Sequence, residues 1–370
     1  MVLSMKYVGE LTNKGNNLFT YGALNLSDKE LDRIIRNIED IPKEYMRKQD
    51  DCNRMDLAYN RCGIKQLRPS THPVFWIKEC DVVVKVFYNV DSVKNEIWAR
   101  VVLENFFDTI PAKMVSCEKY YLLITPYVKN MIMLSELSRK DFGCFLRDYD
   151  DVLRNIINYI DINKKEVKDC NKVMYAGRSI ECMKAWAYGM LQLVEKYNIY
   201  SYVTGNNYSL FDIINRTVAA LEKKPSNLCL FSGDVNCHNI MHTEKGCICL
   251  DFEYWGNIDV DYLFSVIIGS IFNHCEIVDN VYVDYDSHVG KVAYSLKKDI
   301  LKMKSISAFR GMELDYERIR GFIISRMYYK FLNLINNWNE DKNIVSICMI
   351  LDFFEIIKSD SGRLAMKSRP

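Results

Sequence analysis

No apolar run in this 370-residue sequence is long enough to cross a bilayer: stretches such as Ser265 to Phe272 fall far short of the roughly 20 residues a helical span needs. An excess of one charge is also missing. Lys and Arg total 49 against 48 Asp and Glu, a formal net charge of +1, so there is no general electrostatic footprint for nucleic acid. The N-terminus lacks the apolar stretch of a signal peptide, and the 13 cysteines are scattered and odd in number. Cys247 and Cys249 share one face of a predicted strand, but no second pair stands at zinc-like spacing, so they read as buried thiols. These absences describe a reduced, cytoplasmic chain that neither spans a membrane nor binds nucleic acid. Internal repeats and low-complexity linkers are absent as well.

What is present is ordinary globular composition, 49% hydrophobic and 26% charged, in a chain long enough for two domains or lobes. Ser27 and Glu30 have capping-box spacing ahead of a helical stripe of Leu31, Ile34, Ile35 and Ile38. "VFWIKE" (Val74 to Glu79) and "DVVVKVFY" (Asp81 to Tyr88) read as a tightly connected strand pair. The segment Ser92 to Phe107 follows as a helix, and Lys119 to Val128 as a strand running into Pro126. Beyond it the pattern is mostly helical, interrupted by short β-type pieces at Leu228 to Phe231 and Cys247 to Leu250. A β-rich first third before a helical remainder gives an α+β chain of two lobes meeting near Pro126.

Two short stretches carry the chemistry. "LFSGDVNCHNIM" (Leu230 to Met241) places Asp234 and Asn239 in a turn after a strand, and "CICLDFEYWG" (Cys247 to Gly256) ends a strand on Asp251. Phosphoryl transfer needs a group that orients a hydroxyl, oxygen ligands for Mg²⁺ and a cation on the phosphates. Asp234 suits the first task, Asn239 and Asp251 the second. Lys85 suits the third: it sits inside an apolar strand, where an unpaired ammonium is costly, and Glu96 stands on the next predicted helix to pair with it.

The segment "SGDVNCHNIM…ICLDFEYWGNIDVDYL" resembles the catalytic stretch of the aminoglycoside phosphotransferase and choline kinase superfamily, small-molecule kinases with a protein-kinase-like fold. The resemblance implies Asp234 as the catalytic aspartate, Asn239 and Asp251 as magnesium ligands, and Lys85 with Glu96 as the phosphate lysine and its helix partner. It implies that Gly256 makes a small-residue turn and that Asp261 braces the catalytic loop. It also implies a hinge at Pro126, Tyr127 and Val128 that meets the base of ATP or GTP. The lobes it implies are a β-rich nucleotide-binding lobe over 56–128 and a helical lobe over 129–370, with residues 1–55 as an added extension or cap. The sequence departs from the family in having Ser232 where histidine is usual, and in a nucleotide loop, "RPSTHP", without glycines. There, Ser70 and Thr71 are the candidates to meet phosphate.

Asp261 follows Asp251 by only ten positions, too few for the activation segment of a peptide kinase, so the acceptor is expected to be a small hydroxyl-bearing molecule. An amino-alcohol acceptor would use aromatic faces, for which Tyr254, Trp255, Tyr328, Tyr329 and Trp338 are candidates. A polycationic antibiotic would need carboxylates, for which Glu253, Asp259, Glu276, Asp279, Asp284 and Asp286 are candidates. A third alternative is a kinase-like protein that binds nucleotide and transfers nothing.

Overall fold

The computed structural model describes residues 20–22, 24–42, 60–61, 63–68, 72–117, 119–163, 165–166, 173–196, 210–244, 246–274, 314–326 and 328. The chain divides into two compact units, Met1–Met131 with Thr243–Trp255, and Ile132–His242 with Gly256–Pro370. The first unit opens with β1 (Thr20–Tyr21), α1 (Asp28–Glu39), β2 (Asn60–Arg61), β3 (Ile64–Arg68), β4 (Val74–Ile77), β5 (Val82–Phe87), α2 (Val90–Leu103), β6 (Ala112–Ser116) and β7 (Tyr121–Pro126). Next come β8 (Ile132–Met133), α3 (Leu134–Lys140), α4 (Phe142–Asn163), β9 (Lys165–Glu166), α5 (Ile180–Lys196), α6 (Leu210–Glu222), β10 (Asn227–Ser232) and β11 (Ile240–Thr243). After β12 (Gly246–Cys249) the chain runs through β13 (Trp255–Asp259) into α7 (Val260–His274), and α8 (Tyr316–Arg326) is the last described element. No helix among the described residues is long and apolar enough to cross a membrane.

In the first unit seven strands form one antiparallel sheet in the order β1-β6-β7-β5-β4-β3-β2, so β5 lies in its interior. Strand alternation sorts its side chains onto two faces. Phe75, Ile77, Val82, Val84, Val86, Leu122 and Ile124 point one way and pack against Ile34 and Ile38 of α1. The capping box that starts α1 is formed, with the Ser27 backbone N–H donating to Glu30 Oε2 at 2.8 Å and Glu30 N–H to Ser27 Oγ at 3.3 Å. Thus β1 and α1, which precede residue 55, belong to the sheet and core of this unit.

On the opposite face α2 brings Val93 and Ile97 onto Phe87, Ala112, Met114 and Leu123. Register puts Lys85 opposite Val74 and Leu123, and Val83 opposite Trp76 and Thr125. Val74, Trp76, Val83, Lys85 and Thr125 therefore share the face that α2 covers only at one end, and all five are half-buried.

The second unit is mainly helical. Phe145, Tyr149, Val152, Leu153, Ile156, Ile157 and Ile160 form the buried stripe of α4, at the spacing a helix needs to present one apolar face. Strand β10 is central in a three-stranded sheet of order β13-β10-β9. The turn at 173–178 docks on this sheet: the Met174 N–H donates to Asn257 O at 2.8 Å, and the Met174 side chain fills the space a side chain at Gly256 would need. That is the physical reason for a small residue at 256.

Arg318 of α8 ties this unit together. Its buried guanidinium donates to the carboxylate of Asp259 and to the carbonyls of Leu221 and Lys223. Asp261, expected to brace the catalytic loop, turns to α8 instead: its Oδ1 accepts the Asp315 N–H at 3.1 Å, and its Oδ2 lies 3.6 Å from Arg318 Nε. Burial, reinforced by the adjacent Asp259 charge, pushes the Asp261 carboxyl up to about 8. Arg318→Met should therefore strand two buried acids and cost about 3 to 5 kcal/mol, the scale for breaking a buried ion pair. Denaturant unfolding should show a lower midpoint at unchanged slope; a midpoint equal to wild type would mean that the guanidinium does not hold this unit.

Candidate active site

One group of the expected site residues is built within the first unit on β5, α2 and the segment after β12. Lys85 Nζ donates to Glu96 Oε1 at 2.8 Å and to Asp251 Oδ1 at 2.6 Å. The lysine is thus an interior-strand residue with two anionic partners. Glu96 is shared: Arg100, one helical turn further along α2, donates to Glu96 Oε2 at 2.8 Å. Burial works against the charge on Glu96, but the Lys85 ammonium and Arg100 guanidinium prevail and hold its carboxyl down at about 2. Burial also disfavours the Lys85 ammonium, and Asp251 and Glu96 outweigh it, raising the lysine above its usual range.

Asp251 has a φ of +65°, a left-handed conformation that non-glycine residues seldom adopt. Such a conformation persists only where the surroundings enforce it. Here they do. Phe252 is fully buried, its ring edge-on to Trp255 at 6.2 Å between centroids and capped by the Arg100 guanidinium at 5.7 Å. Glu253 is held at both ends, its carbonyl by Asn95 Nδ2 at 3.3 Å and its carboxylate by His72 Nε2 at 2.7 Å. The side chain of Asp251 itself stays 33% exposed. Loss of solvent and the neighbouring Glu96 and Glu253 carboxylates raise its carboxyl above the ordinary aspartate value despite Lys85.

A separate group of the expected site residues lies in the second unit, in the loop between β10 and β11. Ser232 is fully buried, and its hydroxyl accepts the Asp234 N–H at 3.4 Å. Asn239 Nδ2 donates to the Asp234 carbonyl at 2.8 Å and to Asp234 Oδ2 at 3.3 Å. With its nitrogen committed to Asp234, the Asn239 amide presents its oxygen on the other side, as a metal ligand must. Asn236 braces the turn from inside: its Nδ2 donates to the Asp234 carbonyl at 3.3 Å, and its Oδ1 accepts the His238 N–H at 2.9 Å. Gly233 is required because a Cβ there would meet the backbone nitrogen of Ala176 at 3.0 Å.

Of the remaining expected site residues, Ser70 and Thr71 lie outside the described residues. Pro126 pairs with Val82 at the end of β7 and has no N–H to offer. The Tyr127 N–H is spent on Asp81 O at 2.8 Å, which leaves Val128 as the remaining backbone donor of the three. The Tyr127 ring stacks on Trp76 at 4.2 Å and 15°, on the same sheet face as Lys85. His72, Asn95 and Arg100 were not anticipated. Only Arg100 left a signal, its i+4 spacing from Glu96. Two of the carboxylates considered for a polycation are already engaged, Glu253 with His72 and Asp259 with Arg318. Glu276, Asp279, Asp284 and Asp286 lie outside the described residues, as do Tyr329 and Trp338. Trp255 is buried in the first unit, and Tyr328 packs over Gly189 in the second.

No known protein-family profile matches the sequence, and no curated protein does. Solved structures similar to the chain are those of small-molecule kinases. A glucosamine kinase in complex with glucosamine, ADP and inorganic phosphate is 10% identical, with a TM-score of 0.49 over 81% of this chain and 83% of that one. A thermostable mutant of an aminoglycoside phosphotransferase in its apo form is 11% identical, with a TM-score of 0.41 over 84% and 97% of the two chains. A choline/ethanolamine kinase family protein from Mesorhizobium loti is 13% identical, with a TM-score of 0.41 over 89% and 95%.

The Glu96 carboxyl, depressed from its ordinary 4.5 to about 2, contributes stability that is complete above pH 4.5 and is lost as the pH falls through that interval. Glu96→Gln should remove this part of the acid-unfolding profile and cost about 3 kcal/mol at neutral pH, since Lys85 and Arg100 lose a shared buried partner. Superimposable profiles for the two proteins would rule out the shared pairing.

Proposed function

We propose that the chain is a small-molecule kinase that transfers the γ-phosphoryl group of ATP or GTP to a substrate hydroxyl, in the manner of aminoglycoside phosphotransferases, with an amino-sugar or amino-alcohol acceptor. The observation that carries this reading is Lys85 held between Glu96 and a left-handed Asp251. A lysine fixed in this way serves as a preset phosphate cation, and its helix partner keeps it extended. The alternation that puts Val74, Trp76, Val83 and Thr125 beside it offers an apolar floor for a nucleotide.

Asp251 and Asn239 are the residues that would hold Mg²⁺; carboxylate and amide oxygens are its preferred donors, and the Asp251 carboxylate is a third exposed. When bound, the ion supplies charge neutralisation on the phosphates. Asp234 would orient the acceptor hydroxyl and take up its proton, its position set by Ser232, Asn236 and Asn239. The ten-residue interval from Asp251 to Asp261 favours a small acceptor over a peptide. The engagement of Glu253 and Asp259 narrows the carboxylate set for a polycationic antibiotic, and a choline- or ethanolamine-type acceptor is the second reading that this favours.

Two measurements test the proposal. With Mg²⁺-ATP or Mg²⁺-GTP and a panel of amino sugars, aminoglycosides and amino alcohols, wild type should transfer phosphate to at least one class. Asp234→Asn should lower that transfer by about 10²- to 10⁴-fold while nucleotide binding persists. Near-wild-type transfer in the variant would remove Asp234 from the chemistry; no transfer by wild type to any acceptor, with nucleotide still bound, would make this a silent kinase-like protein. Separately, Asp251→Ala should abolish the Mg²⁺ dependence of nucleotide binding, and an unaltered dependence would refute the ligand assignment.

A further inference from the structure

A second cluster of ligating side chains lies in the second unit, apart from the residues assigned above. Cys144 and Asp148 stand one turn apart on α4, so both project from one face of the helix. His242 reaches the same point from β11. One ligand atom from each of the three lies within 4.8 Å of the others. His242 Nδ1 is hydrogen-bonded to Asp148 Oδ2, and Asp148 is only 7% exposed. Arg147, itself mostly exposed, donates from Nη2 to Cys144 Sγ at 2.9 Å. A histidine–aspartate hydrogen bond needs no cysteine; the convergence of a sulfur on the same point is what that pair does not explain.

We propose that Cys144, Asp148 and His242 bind a borderline-soft divalent metal ion, zinc by the chemistry of the donors. Thiolate, imidazole and carboxylate together suit Zn²⁺ and are a poor set for Mg²⁺ or Ca²⁺, which take oxygen ligands. One thiolate and one carboxylate neutralise the charge of the ion. Zinc bonds of about 2.0 to 2.3 Å put tetrahedral ligand atoms roughly 3.2 to 3.7 Å apart. On binding, the ion would replace the Arg147 donor at Cys144 Sγ, and Cys144 and His242 are half-buried and reachable from solution. The Cys144 thiol proton and the His242–Asp148 proton are released to solvent on binding, and a water takes the fourth position. The ion would staple α4 to β11, the strand that begins immediately after Asn239, so the site is a fastening for the end of the catalytic loop.

The test uses the full-length reduced chain, stripped with a chelator. Titration with Co²⁺, a spectroscopic stand-in for zinc, should give a thiolate-to-cobalt charge-transfer band that saturates at about one equivalent. Cys144→Ser should abolish the band, and His242→Gln should weaken binding by about 10- to 100-fold or more. Because a variant can fail to fold, the wild-type protein is also labelled with N-ethylmaleimide and mapped by mass spectrometry. Zn²⁺ should slow labelling of Cys144 by at least about tenfold and leave Cys182, on α5, unprotected. A charge-transfer band that survives in Cys144→Ser, or labelling of Cys144 that is indifferent to Zn²⁺, overturns the proposal.

Discussion

A lysine ammonium placed inside a β-sheet is tolerable only if anions come to it, and much of the first unit is organised by that demand. Lys85 occupies an interior strand, where no edge gives it water. Glu96 answers from α2, which fixes the rotation of that helix over the sheet: with Glu96 turned to Lys85, Val93 and Ile97 fall on Phe87 and Leu123. Asp251 answers from the far end of the sequence, 166 residues away, and its left-handed backbone is the cost of bringing the carboxylate there. The anchors of that segment, Phe252, His72 and Asn95, are what make the strained conformation persist.

The second unit repeats the device with a different cation and a different outcome. Arg318 meets Asp259 and Asp261 with essentially no exposure, and its Nη1 donates to the carbonyls of Leu221 and Lys223 at the end of α6. Guanidinium, planar and always charged, suits a permanent buried tie. An ammonium on a flexible stem suits a site where partners are exchanged. The contrast explains why the Arg318 cluster reads as architecture and the Lys85 cluster as chemistry, although both join one cation to two acids. In the first cluster Asp251 remains a third exposed; in the second neither acid reaches solvent.

Legibility from sequence follows the same division. The β4–β5 hairpin, α2, α4 and the capping box of α1 were readable because each is set by local periodicity or by spacing within one turn. Lys85 and Glu96 were readable because a charge in an apolar strand implies a partner. Two-residue strands such as β1, β2 and β9 carry no period, and only their nonlocal pairing makes them strands. His72 sits in a segment whose chemistry gave no hint that its imidazole would reach Glu253. Asp261 was read as bracing the catalytic loop, yet its partner is an N–H 54 residues downstream, a choice that only the packing of α8 against α7 decides. Within the stretch from Pro126 to Val128 expected to meet a nucleotide base, the Tyr127 N–H is taken by the Asp81 carbonyl, a pairing that local sequence does not reveal.

The part Ser232 plays follows from its place in the turn before Asp234. It lies at zero exposure under the turn and needs a polar atom aimed at the backbone of Asp234. The Ser232 hydroxyl accepts that N–H directly, without the volume of a larger polar side chain. The turn compensates by adding bonds of its own: Asn236 and Asn239 both donate to the Asp234 carbonyl. Three short polar side chains thus hold the aspartate from three directions. A carboxylate supported through its backbone keeps its side chain oriented without a large neighbour, which is why small polar side chains suffice in the turn at Asp234.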